Sequence, residues 1–134
     1  ISECLVGSEM CIRDRNIKTL SDFGVKFALD DYGTGYSNMT YLLNLPFRFI
    51  KLEKEIVWKC FKSEKARIAI ESTVAMIKKL NMQIVAEGIE DKHQFDTLLD
   101  MGCDFIQGYY FSKPVPEKDF IEVLKKNNTQ TATV

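Results

Sequence analysis

Residues 25–38 read VKFALDDYGTGYSN. The first five form a short apolar, strand-like run. It hands over to two adjacent carboxylates, Asp30 and Asp31, and to a loop over 30–38 rich in glycine and small polar residues. The same handover recurs downstream. Residues 47–52 (FRFIKL) read as a strand ending at Lys51 and followed by Glu53, residues 83–86 (QIVA) lead into Glu87 and then Glu90, and residues 104–108 (DFIQG) carry Gln107. Between these runs the spacing is helical. Residues 39–45 read as a short helix stopped by Pro46. A charged segment follows Glu53, and Ala66, Ile70, Val74 and Ile77 mark a long helix over 64–80. Residues 91–101 form another helix ended by Gly102, and residues 115–126 a last one. Upstream, Ile17, Leu20 and Phe23 follow helical spacing before Gly24. Four strand-to-helix units predict an α/β fold with a parallel sheet, either an open doubly wound sheet or half of a (β/α)8 barrel.

Composition narrows the function classes. The chain has 134 residues, with 18 Lys and Arg against 19 Asp and Glu, so no excess of basic charge drives it toward a nucleic-acid polymer or an anionic membrane. No apolar run approaches the ~20 residues of a bilayer crossing, and the opening ISECLVGSEM does not read as a signal peptide. Cys4, Cys11, Cys60 and Cys103 form no Cys-x-x-Cys pair, which argues against structural zinc and for unpaired, buried thiols in a reducing cytoplasm. His93, the single histidine, lies in a polar stretch and reads as an exposed side chain. A Ser-His-Asp or Cys-His hydrolase is therefore excluded, and chemistry must run on carboxylates, amides and lysines.

In parallel α/β proteins, the carboxyl ends of the strands are where ligands bind. Residues two apart on a strand share a face, so Phe49, Lys51 and Glu53 point together, as do Val85 with Glu87 and Phe105 with Gln107. Charges beside such apolar neighbours need a partner or a metal. Asp30, Asp31 and Glu87 are hard oxygen donors suited to Mg²⁺ or Mn²⁺. The adjacent aspartates could each face a different cation, in a pair that clamps a phosphoester, with Lys51 holding the water or neutralising phosphate charge. The Gly33-Thr34-Gly35 loop lacks the third glycine of a dinucleotide fingerprint and reads as a flexible lid.

Four stretches together resemble the EAL domains, bacterial cyclic di-GMP phosphodiesterases. They are residues 30–37 (DDYGTGYS), 49–53 (FIKLE), 85–90 (VAEGIE) and 107–114 (QGYYFSKP), in the family's order and with its intervening helices. The resemblance runs from about residue 16 to 126. It implies a (β/α)8 TIM-like barrel, of which about four parallel strand-helix units, the C-terminal half, are present. It implies two Mg²⁺ or Mn²⁺ ions hydrolysing cyclic di-GMP to linear pGpG. Asp30 and Asp31 would be metal ligands, Asp31 mainly for the second ion. Lys51 would contact the catalytic water, and Glu87 would be a ligand or general base. Gln107 would sit near metal and substrate, and Glu90 would brace the Gly33-Thr34-Gly35 loop. Glu53 stands where the family usually has Asp, and Tyr32 where it has Phe. The resemblance also implies upstream signalling domains and pairing as a homodimer.

The Glu-Ala-Leu strand, the metal-binding Asn and the strand-end Glu that precede the Asp pair in the family have no counterpart here. A complete barrel takes ~250 residues, so the expectation is a truncated domain, spanning 16–126. Residues 1–15 read as a non-matching, foreign junction, and 127–134 as a polar, frayed tail. The parent is expected to be the enzyme and the fragment alone inactive. The alternative is a non-catalytic EAL receptor or docking domain in cyclic di-GMP signalling.

Overall fold

The computed structural model of the chain describes residues 8–33 and 38–131. Along them run α1 (Ser8–Asp22), β1 (Phe27–Tyr32), α2 (Asn38–Asn44), β2 (Phe47–Leu52) and α3 (Lys54–Cys60). Then come α4 (Glu64–Lys79), β3 (Gln83–Glu87), α5 (Lys92–Met101), β4 (Phe105–Gln107) and α6 (Glu117–Thr131). The strands form one parallel sheet in the order β1-β2-β3-β4. A doubly wound sheet reverses its winding direction and carries helices on both faces. Here every crossover steps the same way, so right-handed connections lay the helices on one face. This is the winding of a (β/α)8 barrel, and it resolves the choice that the sequence pattern leaves open.

The alternation of side chains follows from that layering. Ile50, Leu52, Ile84 and Ala86 are at most 1% exposed and pack under the helices. They meet Val57 and Cys60 of α3, Ile70, Val74 and Ile77 of α4, and Leu98 of α5. Full burial of each large aliphatic side chain is worth about 1.5–3 kcal/mol. The residues between them, Phe49, Lys51, Val85 and Glu87, point to the opposite face and are only half-buried. There Phe49 and Phe105 meet edge to face, with ring centroids 5.9 Å apart.

Local signals end the helices where the spacing predicts. The Ser63 hydroxyl accepts from the Ala66 amide at the start of α4, and the Asp91 carboxylate accepts from the Gln94 amide at the start of α5. Gly102 closes α5 in the left-handed conformation at φ 104°. Asp104 ties β4 to β3: its carboxylate accepts from the Ile84 amide at 2.8 Å and pairs with Lys78 at 2.5 Å.

Four elements depart from the sequence reading. β1 starts two residues later than the predicted 25–29 and runs on to Tyr32, so Asp30 and Asp31 belong to the strand rather than to the loop. The charged segment after Glu53 is the helix α3, whose buried residues Val57 and Cys60 fix it on the core. Helix α1 begins at Ser8, ahead of the predicted start near residue 16. Helix α6 continues to Thr131, into the stretch read as a frayed tail. His93 is exposed as predicted and rests edge-on against Phe61, at 5.9 Å. Cys60 and Cys103 are buried and free, while Cys4 lies outside the described residues.

Candidate active site at the carboxyl ends of the strands

Two residues of β1 oppose one residue of β2 at the site. Leu29 pairs with Ile50 and Tyr32 with Leu52, so Asp30 and Asp31 share the space opposite Lys51. This is a β-bulge. It explains why Leu29 and Tyr32, three apart, both pack against the core, which strict alternation forbids. Asp31 takes up the extra residue at φ 53°, in the left-handed region that Asp tolerates better than most side chains. Its amide donates to Asp30 Oδ1 at 2.9 Å. The bulge therefore presents both carboxylates at the strand mouth.

Lys51 is the centre of the group. Its Nζ lies 2.6 Å from Glu87 Oε1 and 3.4 Å from Asp30 Oδ1. Lys51 and Glu87 are about a quarter exposed, at 28% and 24%, whereas Asp30 is open to solvent at 62%. Register produces this: Lys51 pairs with Val85, and Glu87 lies two residues further along the same face of β3. Glu87 in turn pairs with Gln107 of β4. The hydrogen bond to Glu87 is the main cause that raises the Lys51 pKa, against the opposing cost of burial. Glu53, at the entry to α3, is pushed up by desolvation and by its neighbours Glu55, Asp31 and Glu87. The rim thus holds more acid than base, a field that gathers cations.

A cleft of about 230 Å³ continues from this rim, lined by Glu87, Gly88, Glu90, Gln107, Gly108 and Tyr109, with Lys54 and Trp58 of α3. Two glycines let the backbone close it. Gly88 sits at φ 80°, and a Cβ there would run into Lys54. A Cβ on Gly108 would strike the Ile89 backbone. The Ile89 amide donates to Gln107 O at 3.2 Å, and the Tyr110 amide to Ile89 O at 2.9 Å.

The structure thus brings Asp30, Lys51 and Glu87 into contact, with Gln107 beside Glu87. Glu90 lines the cleft, and its amide donates to Gln94 Oε1 at 2.8 Å. Gly33 is tightly bounded, because the Ile56 side chain occupies the place a Cβ would take. Thr34 and Gly35 lie outside the described residues, and with them the expected contact of Glu90 to their loop. Trp58, Lys54 and Tyr109 are cleft residues that the sequence reading did not single out. The aromatic run after Gln107 was a signal for Tyr109. Trp58 gave none, because its reach depends on how α3 folds back over β3.

The donor chemistry fits a hard divalent cation, since Asp30, Asp31 and Glu87 offer carboxylate oxygens. The number of donors does not suffice. Among the described residues, no group of three or more His, Cys, Asp or Glu side chains is placed to hold a metal ion. The Lys51 ammonium stands between Asp30 and Glu87 as their counter-charge. The described residues thus offer carboxylates of the kind a hard divalent cation takes, without forming a centre by themselves.

Comparison with known proteins gives the family and the fold. A family model described as "EAL domain" matches residues 3–114. The Cyclic di-GMP phosphodiesterase RocR of Pseudomonas aeruginosa is 36% identical over 107 residues, covering 80% of this chain and 27% of RocR. The Oxygen sensor protein DosP of Escherichia coli K12 is 38% identical over 105 residues, covering 78% of this chain and 13% of DosP. An EAL domain protein from Listeria monocytogenes superposes with a TM-score of 0.77 at 35% identity, over 84% of this chain and 46% of that one. The chain therefore spans roughly an eighth to a quarter of these curated relatives and about half of that solved structure.

Proposed function

The chain belongs to the EAL domain family, and on that premise we propose that it supplies the C-terminal half of a domain that hydrolyses cyclic di-GMP to linear pGpG. The observation that carries this reading is the Asp30–Lys51–Glu87 contact at the carboxyl ends of adjacent parallel strands, with Gln107 next to it. Relatives named as cyclic di-GMP phosphodiesterases, RocR among them, support the substrate.

Each residue has a chemical task in this reading. Glu87 is the base that takes a proton from the attacking water, and the ammonium of Lys51 holds its carboxylate in place. Lys51 also offsets charge that grows on the phosphoryl oxygens. The Gln107 amide orients the phosphodiester at the cleft mouth. Asp30, Asp31 and Glu87 would share in holding two Mg²⁺ or Mn²⁺ ions once other strands of the domain add their donors. Such ions, when bound, neutralise phosphoryl charge and acidify water. Glu53 and Glu90 flank the site, with Glu53 keeping the charge of the usual Asp at one methylene greater reach. A cytoplasmic setting suits the buried free thiols of Cys60 and Cys103.

The test is to express the intact domain that contains this chain and to follow cyclic di-GMP by chromatography, with Mg²⁺ or Mn²⁺ added. Conversion to pGpG that is lost on Asp30→Ala supports the reading. Tight binding without turnover, unaltered by Asp30→Ala, replaces it with the receptor function.

A further inference from the structure

The Gly88–Ile89 segment that follows Glu87 is held from both sides, and one of the two holds comes from outside the sheet. The indole Nε1 of Trp58 on α3 donates to the carbonyl of Gly88 at 2.6 Å. Thirty positions separate the two residues, so this bond is a tertiary clamp on the Gly88–Ile89 peptide, one residue beyond Glu87. The fit is close: a Cβ on Gly88 would lie 3.3 Å from Trp58 Nε1 and collide with Lys54 one turn earlier on α3. The Lys54 ammonium in turn sits over the Trp58 ring, 5.6 Å from its centroid. On the other side, fully buried Ile89 is bonded at both its amide and its carbonyl to the segment 107–110.

We propose that Trp58 is a positioning residue for the reaction: its indole N–H fixes the Gly88 carbonyl and thereby the direction in which Glu87 meets Lys51 and the substrate. The role is specific to the donor. A ring of the same shape without N–H would fill the same space under Lys54 but leave the Gly88 carbonyl without that partner. The Gly88–Ile89 peptide would then be held through the Ile89 amide alone, and the looser hold would pass back to the Glu87 carboxylate through Gly88, which has no Cβ to restrict it. Displacements of about 1 Å at a reacting group cost on the order of 100-fold in rate. Trp58 is the single tryptophan of the chain, so its signals report on this clamp alone within it.

This inference rests on the phosphodiesterase reading for its kinetic arm only. The intact domain is prepared with β-(3-benzothienyl)alanine at position 58, which keeps the shape and removes the donor, and as Trp58→Phe. A third sample carries 5-fluorotryptophan, which keeps the N–H. Side-chain coupling constants of Glu87 are read by NMR, and kcat and KM are measured for cyclic di-GMP. In the donor-less samples the Glu87 couplings should move toward rotamer averaging. There kcat should fall about 10–100-fold with KM within about threefold, and 5-fluorotryptophan should restore both readings. Unchanged Glu87 couplings in the benzothienyl sample would overturn the proposal, whatever its thermal stability. If the domain with Trp58 intact turns over no cyclic di-GMP, the phosphodiesterase reading fails, and the couplings still decide the clamp.

Discussion

Lys51 Nζ stands 2.6 Å from Glu87 Oε1, on neighbouring strands and on the face of the sheet turned away from the helices. The pair sets a pH dependence. The folded-state pKa of Lys51 is raised above the ordinary 10.5, first by its hydrogen bond to Glu87. A raised lysine contributes stability that is fully present below its unfolded value and is lost as pH climbs through the folded one. Urea unfolding should therefore show a flat contribution from Lys51 up to about pH 10 and a decline above it. Lys51→Met should abolish that alkaline decline and lower stability by about 1 kcal/mol near neutrality.

Asp31 should tolerate only residues that accept a left-handed backbone. At φ 53° it is the extra residue of the bulge. Asp31→Asn should unfold within about 0.5 kcal/mol of the unaltered chain, because Asn shares that tolerance. Asp31→Val should lose about 1–3 kcal/mol in equilibrium urea titrations. Equal stability of the two variants would mean that the bulge is absent.

Much of this is legible in the residues themselves. β2 and β3 are apolar runs that end in Lys51 and Glu87; two-residue parity grouped Lys51 with Phe49 and Glu53, and Glu87 with Val85, whereas the strand register brings Lys51 to Glu87. The α4 stripe of Ile70, Val74 and Ile77 and the stop at Gly102 followed from periodicity and capping. The bulge was not legible, because FALDDY reads equally as a strand followed by a loop, and only its pairing with β2 shows two residues opposite one. Helix α3 was hidden because Val57 and Cys60 are separated by charged and aromatic residues over just two turns. Trp58 became a site residue only through a contact 30 positions away, which no local pattern encodes.

The two buried cysteines, Cys60 and Cys103, should be inert in the folded chain. Burial pushes the Cys103 thiol up to about 12 and raises that of Cys60 as well. Both stay protonated at pH 8, and the thiolate is the reactive form. Mass mapping after brief iodoacetamide treatment at pH 8 should find residues 60 and 103 unlabelled in the native chain and labelled in urea. Rapid native labelling at Cys103 would refute its place in the core.

Gly108→Ala should be among the most damaging single-methyl additions, since the new Cβ would fall on the backbone of Ile89 rather than on a flexible side-chain end. The segment 107–110 would have to leave Ile89, losing two backbone hydrogen bonds and opening the cleft wall. A loss of roughly 2–3 kcal/mol is expected by thermal or urea unfolding. A change below 0.5 kcal/mol, roughly the limit for featureless surface sites, would show that the segment is not seated there.

The isolated 134 residues should hydrolyse no cyclic di-GMP, because the described residues do not complete a metal-holding group of donors. Activity should require the rest of the barrel. The decisive measurement is single-turnover hydrolysis of cyclic di-GMP by the intact domain, side by side with its Glu87→Gln form, which keeps shape and hydrogen bonding but cannot accept a proton. Glu87→Gln should slow the chemical step by about 100-fold or more while leaving the domain folded. Hydrolysis at an undiminished rate would remove Glu87, and with it the Lys51-centred rim, from the chemistry.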